Sequence, residues 1–204
     1  MTHIRIPDEY FARAVGPNCE WDKKVMEAFA KTPRHKFLDE AMYKMAYVDD
    51  ALPIGYGQTI SKPSTVAYMT KALELEPTHK VLEIGTGSGF QAAILARLCD
   101  TVYTVERIGE LHRRTYQIIK RIPLRNVKMK LEPVKLGWDE FAPYDRIICT
   151  AEGKSVPQEL VDQLADGGLM LIPVNGKLVK ITKNGTTISQ EPLKLCSFVD
   201  FVGT

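Results

Sequence analysis

Short apolar and β-branched runs alternate with amphipathic stretches through the middle of the chain. Lys80-Val81-Leu82-Glu83-Ile84 is an apolar run broken by one acid, the length and composition of a strand buried on both faces. Residues 91–98, rich in Ala, Leu and Ile, follow as a helix. The pair recurs, with a strand predicted over 101–105 and a helix over 108–121 that Pro123 ends. Residues 126–131 and 144–150 predict two more strands, 157–164 a helix opened by proline, and 168–174 a fifth strand. Such alternation implies an α/β fold, a doubly wound and mostly parallel sheet with helices on both faces. After Asn175-Gly176 the helical period stops, and 178–182, 187–190 and 193–201 read as short strands, the first two turning at Asn184-Gly185. An antiparallel extension therefore closes the sheet. The first sixty residues differ again: Val25, Met26, Ala28 and Phe29 suggest a short helix that Thr32-Pro33-Arg34 breaks.

With 204 residues the chain reads as a single domain: a helical decoration and loop over 1–62, an α/β core over 63–176 and a β extension over 177–204. Composition changes little in this picture. Hydrophobic residues at 45% and charged residues at 25% exclude a disordered or fibrous chain. Lys+Arg 27 against Asp+Glu 25 gives a net charge of +2, too small for a nucleic-acid or membrane footprint. Cys19, Cys99, Cys149 and Cys196 form no Cys-x-x-Cys pair and the four histidines no ligand-spaced cluster, so no metal site is expected and the cysteines read as buried free thiols. Together with an N-terminus lacking an apolar signal region, this points to a reducing, cytoplasmic setting and a monomer.

The first candidate chemistry lies in Glu83-Ile84-Gly85-Thr86-Gly87-Ser88-Gly89. Glycines between a strand and a helix let the chain turn sharply and bring backbone N–H groups near a ligand at the positive helix end. The dinucleotide pattern Gly-x-Gly-x-x-Gly fails, because the third glycine arrives one residue early. Glu-x-Gly-x-Gly-x-Gly instead matches the first motif of class I S-adenosylmethionine-dependent methyltransferases. Glu106 ends the second strand, where a carboxylate can accept hydrogen bonds from ribose hydroxyls; the competing reading is an acid favoured at a helix start.

Three stretches carry a more specific resemblance: Thr32-Pro33-Arg34-His35-Lys36-Phe37, Ala51-Leu52-Pro53-Ile54-Gly55-Tyr56-Gly57-Gln58-Thr59-Ile60-Ser61-Lys62-Pro63 and Val81-Leu82-Glu83-Ile84-Gly85-Thr86-Gly87-Ser88-Gly89-Phe90-Gln91. They resemble the protein-L-isoaspartate O-methyltransferases, over nearly the whole chain. The resemblance implies a Rossmann-like methyltransferase sheet and methyl transfer from S-adenosylmethionine, leaving S-adenosylhomocysteine, to the free α-carboxylate of isoaspartyl residues in proteins or peptides. The ester then loses methanol to a succinimide that partly hydrolyses to aspartate. It implies Ser61 and Thr59 as catalytic residues, Ser61 as the active-site hydroxyl that holds the acceptor carboxylate and Thr59 lying with Ile60 beside the bound cofactor. Ile60, Glu83, Gly85, Thr86, Gly87, Ser88, Gly89, Glu106, Arg107 and Glu132 would bind the cofactor. For Thr59 and Ser61 the alternative is a hydroxyl pair capping the helix that Pro63 begins.

Three segments depart from the family pattern. Glu132-Pro133-Val134 stands where Gly-Asp-Gly is usual, Ala151-Glu152-Gly153-Lys154 where two alanines and a proline shape the substrate entrance, and Phe198-Val199-Asp200 where Phe-Val-Pro is usual. Two other functions therefore stay open: a methyltransferase of this fold acting on another carboxylate, and a cofactor-binding module without turnover.

Overall fold

The computed structural model describes residues 4–199. Its main sheet has seven strands in the order β5-β4-β3-β6-β7-β8-β9. Strands β3 (Lys80–Ile84), β4 (Thr101–Glu106), β5 (Val127–Leu131), β6 (Tyr144–Cys149) and β7 (Leu164–Val174) run parallel, and β8 (Lys177–Asn184) and β9 (Thr187–Leu195) add antiparallel. Starting at β3, the chain moves outward through β4 and β5, then returns to the other side of β3 at β6. That reversal leaves a crevice at the carboxyl ends of β3 and β6, the usual ligand position in such sheets.

Helices α2 (Pro63–Ala72) and α3 (Phe90–Leu95) cover one face, burying Met69, Leu73, Ala92 and Leu95 against Val81, Val102, Ile148 and Leu171. On the other face, Leu160 and Val161 of α5 (Gln158–Asp162) pack on Leu82, Tyr144, Ile147 and Met170. Alternate residues of β3 thus enter different cores, as the period of a strand demands. Helix α4 (Gly109–Lys120) adds Leu111 and Ile119 to a third cluster. Helix α1 (Lys23–Ala30) opens on Asp22, whose carboxylate accepts from the amides of Lys24 and Val25, an N-cap that the sequence pattern had not singled out. Phe29 and Phe37 of the decoration meet Phe90 of α3 edge-on, so the N-terminal region shares its core with the α/β unit.

The structure departs from the sequence reading in several places. Residues 51–60 form a hairpin, β1 (Leu52–Gly55) and β2 (Gln58–Ile60), where only a loop was expected; Tyr56 and Gly57, both at positive φ, make its turn. Helix α5 stops at Asp162 instead of 164, because Leu164 pairs with Tyr144 and Gln163 turns inward to accept from the Trp138 amide. The strands expected over 187–190 and 193–201 are one strand ending at Leu195, which Pro192 enters without breaking because β9 is the sheet edge. The last part of that expected strand, 200–201, lies outside the described residues. All four cysteines are unpaired, three of them buried as expected and Cys196 part-exposed. Among the described residues no helix is long and apolar enough to cross a membrane.

Candidate active site

The carboxyl ends of β3 to β6 open onto a cavity of about 370 Å³. Thr59, Ile60 and Ser61 line it from the hairpin side, Glu83 and Gly85 to Ser88 from the glycine turn, Glu106 and Arg107 from the end of β4, and Glu132 from the end of β5. Eleven of the twelve site residues read from the sequence thus meet at one place. Gly89 stays behind the wall: it precedes α3 at φ +82°, and a Cβ there would meet Thr115 Cγ2 at 2.6 Å, so its requirement is close packing of α3 on α4.

The turn is tied to β4 at both ends. The amides of Gly85 and Thr86 donate to the Val105 carbonyl at 3.0 and 3.1 Å, and the Gly87 amide donates to Glu106 Oε2 at 2.8 Å. Glu106 Oε1 accepts from the amides of Arg107 and Ile108, both at 2.9 Å. The carboxylate therefore holds the turn in addition to facing the cavity, and of its roughly four acceptor positions three are taken.

Glu83 is fully buried on the helix side of β3. The Thr104 hydroxyl donates to Oε2 and lies 2.7 Å from the Thr86 hydroxyl, while Oε1 has no hydrogen-bond partner among the described residues. Burial, with a smaller push from Glu106 and against the Thr104 bond, raises this carboxyl to about 8. Glu132 is the opposite case. Lys130 Nζ lies 2.7 Å from its carboxylate, which also accepts from the amides of Lys135 and Val134, and these partners hold it down to about 2. Its carboxylate closes the loop over Pro133, so the missing proline N–H does not disorganise this wall.

Ser61 sits between β2 and α2. Its carbonyl accepts from Arg34 Nη2 at 3.0 Å, and its hydroxyl has no partner among the described residues. The alternative of a helix cap is not what forms: the N-cap of α2 is Lys62, without a side-chain bond, and Asp49 Oδ1 accepts from the Ser64 amide at 2.9 Å instead. Thr59 is exposed within β2.

Val66 and Met69 of α2 and Thr150 also line the cavity and were not singled out from the sequence; Val66 and Met69 follow an ordinary helical core spacing, so nothing local marks them. Gln91, from the end of the glycine motif, and Phe198 and Val199, from the departing C-terminal segment, join the lining as well. Glu152 and Lys154, expected at the substrate entrance, are not in the lining, which stops at Ala151.

The protein-L-isoaspartate(D-aspartate) O-methyltransferase family matches residues 17–204. Protein-L-isoaspartate O-methyltransferases of Dictyoglomus thermophilum and Geobacter metallireducens are 49% and 50% identical over 185 and 188 residues, 89% of this chain and 84% and 87% of theirs. A Plasmodium falciparum chain crystallised with S-adenosyl-L-homocysteine, and assigned as an enzyme of the same kind, superposes with a TM-score of 0.81 at 26% identity, covering 94% of both chains. A glycine turn held by Glu106, a cavity lined by Ser61 and these likenesses agree: the chain belongs to the protein-L-isoaspartate(D-aspartate) O-methyltransferase family.

Proposed function

We propose that this chain transfers a methyl group from S-adenosylmethionine to the α-carboxylate of L-isoaspartyl residues in damaged proteins, the first step of repair through a succinimide. The observation that carries the acceptor class is the chemistry of the cavity's far end. Around Thr59, Ser61, Thr150, Ala151, Phe198 and Val199 the described residues of the lining include no His, Cys, Tyr or acid to remove a proton. An acceptor placed there must arrive ionised, as a main-chain carboxylate does with a pKa of roughly 3.3–3.7. Thr65 and Val66 bring the first turn of α2 to the same end, where the positive end of the helix dipole favours an anion.

The residues present fit the cofactor. The buried, unpartnered Glu83 Oε1 suits a cationic ammonium, Glu106 retains acceptor capacity for a ribose hydroxyl, and the loop 132–136 walls the side over β5. Bound there, S-adenosylmethionine supplies a methyl group already activated on a sulfonium. The chain's own contribution is to orient the carboxylate with the Ser61 hydroxyl and to exclude water between apolar Ile60, Val66 and Met69.

Labelled-methyl transfer to an isoaspartyl peptide, its aspartyl twin and no peptide tests the assignment. Transfer to the first alone is expected; transfer to the aspartyl peptide, or to neither, overturns it in favour of another carboxylate or of a module without turnover. In the same assay Ser61→Ala should lower kcat/KM by about ten- to several-hundred-fold, or roughly 1.4–3.5 kcal/mol, with S-adenosylhomocysteine affinity unchanged. Wild-type turnover in that variant would remove Ser61 from the reaction.

Glu83 gives a pH signature. Its folded value, about 8, lies above the ordinary carboxylate range, so its contribution to stability is fully present below about pH 4 and is lost as pH rises through 8. At pH 7 it is mostly protonated, and an ammonium set against Oε1 favours the ionised form. Binding of S-adenosylhomocysteine at pH 7 should therefore release a proton, read from calorimetric enthalpies in buffers of different ionisation enthalpy. Glu83→Gln should abolish the buffer dependence; identical wild-type enthalpies in all buffers would place the ammonium elsewhere.

A further inference from the structure

Strand β9 ends at Leu195, and the segment that follows, Cys196 to Val199, has no regular hydrogen-bonded structure, yet its Phe198 and Val199 form part of the cavity wall. Few polar contacts hold it. The Cys196 amide donates to the Gly176 carbonyl at 3.0 Å. Among the described residues the others come from Glu152, in the loop after β6. Its amide donates to the Val199 carbonyl at 2.8 Å, and its carboxylate accepts through one oxygen from the Gly176 amide and through the other from the Phe198 amide at 3.5 Å. Glu152 thus bridges the turn between β7 and β8 and the wall segment, while its neighbour Gly153 pairs with Val174 and donates to the Pro173 carbonyl, fixing the loop to β7.

Sheet order tells which end of the cavity this wall serves. Glu106 and the 132–136 loop lie over β4 and β5, on one side of β3, whereas Thr150 and Ala151 with the attached wall lie beyond β6 on the other. A ligand reaching from β5 across the glycine turn leaves the β6 side for the acceptor. We propose that Glu152 is a positioning residue that orders Phe198 and Val199 as the acceptor-side wall. This rests on the isoaspartyl reading above only for the identity of the acceptor. An unstrapped segment must be ordered by the acceptor itself when it binds, which weakens acceptor binding and leaves the opposite end of the cavity untouched.

The test compares wild type, Glu152→Ala and Glu152→Gln, each as the full chain, by amide hydrogen exchange and steady-state kinetics. In Glu152→Ala the Phe198 amide should exchange at least tenfold faster while amides in β7 and β8 keep their rates. KM for an isoaspartyl peptide should rise tenfold or more, with kcat within threefold and S-adenosylhomocysteine affinity within twofold. Glu152→Gln retains one carbonyl oxygen and should fall between; it also decides the matter if the alanine variant does not fold. Unchanged exchange at Phe198, an unchanged KM, or a loss of cofactor affinity in step with KM overturns the proposal. If wild type does not methylate the isoaspartyl peptide at all, the isoaspartyl reading fails, and exchange at Phe198 still decides whether Glu152 orders the wall.

Discussion

Gly85→Ala should destabilise the chain by about 3 kcal/mol and weaken S-adenosylhomocysteine binding at least tenfold. Gly85 has φ +93°, where an L side chain costs about 1–2 kcal/mol. A Cβ there would stand 2.5 Å from Thr150 Oγ1. That hydroxyl reaches the carbonyls of Ile84 and Gly85 at 3.0 and 2.6 Å, so rotating it away loses contacts worth about another 1 kcal/mol and loosens the join between β6 and the turn. At about 2–4 °C per kcal/mol for a chain of this size, Tm should fall by about 6–12 °C. A double-mutant cycle isolates the steric part: in a Thr150→Ala background only the φ penalty should remain, about 1–2 kcal/mol. Equal costs in both backgrounds would mean that Thr150 does not constrain the turn.

The same comparison shows how far the glycine pattern could be read from the sequence. Gly85, Gly87 and Gly89 look equivalent there. In the structure a Cβ on Gly87 finds nothing nearer than Ile54 Cδ1 at 3.6 Å, so Gly87 answers mainly to its φ of +50°; Gly89 answers to Thr115, and only Gly85 to the β6 side of the site. Which glycine is crowded depends on α4 and β6, elements that arrive twenty to sixty positions later. Likewise Glu106 was legible as an acid at a strand end, but not its bond to the Gly87 amide, which depends on β3 and β4 lying parallel in this register.

Local signals were reliable where one element's own pattern fixes it. The five parallel strands and the turn after β3 are specified by apolar runs and glycine spacing. The hairpin over 52–60 has no such signature: exposed Tyr56 takes a positive φ, and β1 is only four residues long with Pro53, a poor strand former, on its exposed side. It holds its shape through contacts from elsewhere, with Leu52, Ile54 and Ile60 packed into the cluster built by α1, α3 and α4. Glu152 read as a surface charge beside a substrate because nothing in its neighbours reveals that Gly176 and Phe198 come back to meet it.

The largest loss of stability should come from Arg34→Met. Arg34, in the Thr32-Pro33-Arg34 stretch that carried part of the family resemblance, is completely buried. Its Nη1 donates to the Ala46 carbonyl at 2.9 Å and more weakly to Val48; its Nη2 donates to Asp50 and Ser61 at 2.8 and 3.0 Å and more weakly to Ile60. Burial pulls the guanidinium down to about 10, partly offset by Tyr10, Asp49 and Asp50, so it remains charged at neutral pH. Among the described residues no carboxylate stands within ion-pair distance of it; carbonyl dipoles from residues 46, 48, 50, 60 and 61 carry the neutralisation. One side chain thus gathers both flanks of the β1–β2 hairpin and fixes the backbone of Ser61. A methionine of similar length fills the space but leaves those carbonyls facing an apolar group, which by analogy with breaking a buried charged contact costs about 3–5 kcal/mol. Thermal unfolding should shift downward by roughly 6–20 °C. In the fraction that stays folded at low temperature, methyl transfer should fall by at least the loss seen for Ser61→Ala, because the whole hairpin flank loses its anchor. S-adenosylhomocysteine should still bind within about threefold, since the glycine turn is held to β4 by Glu106 and not by Arg34. A Tm within 2 °C of wild type, or cofactor affinity lost in proportion to turnover, would show that the hairpin holds Ser61 without this guanidinium.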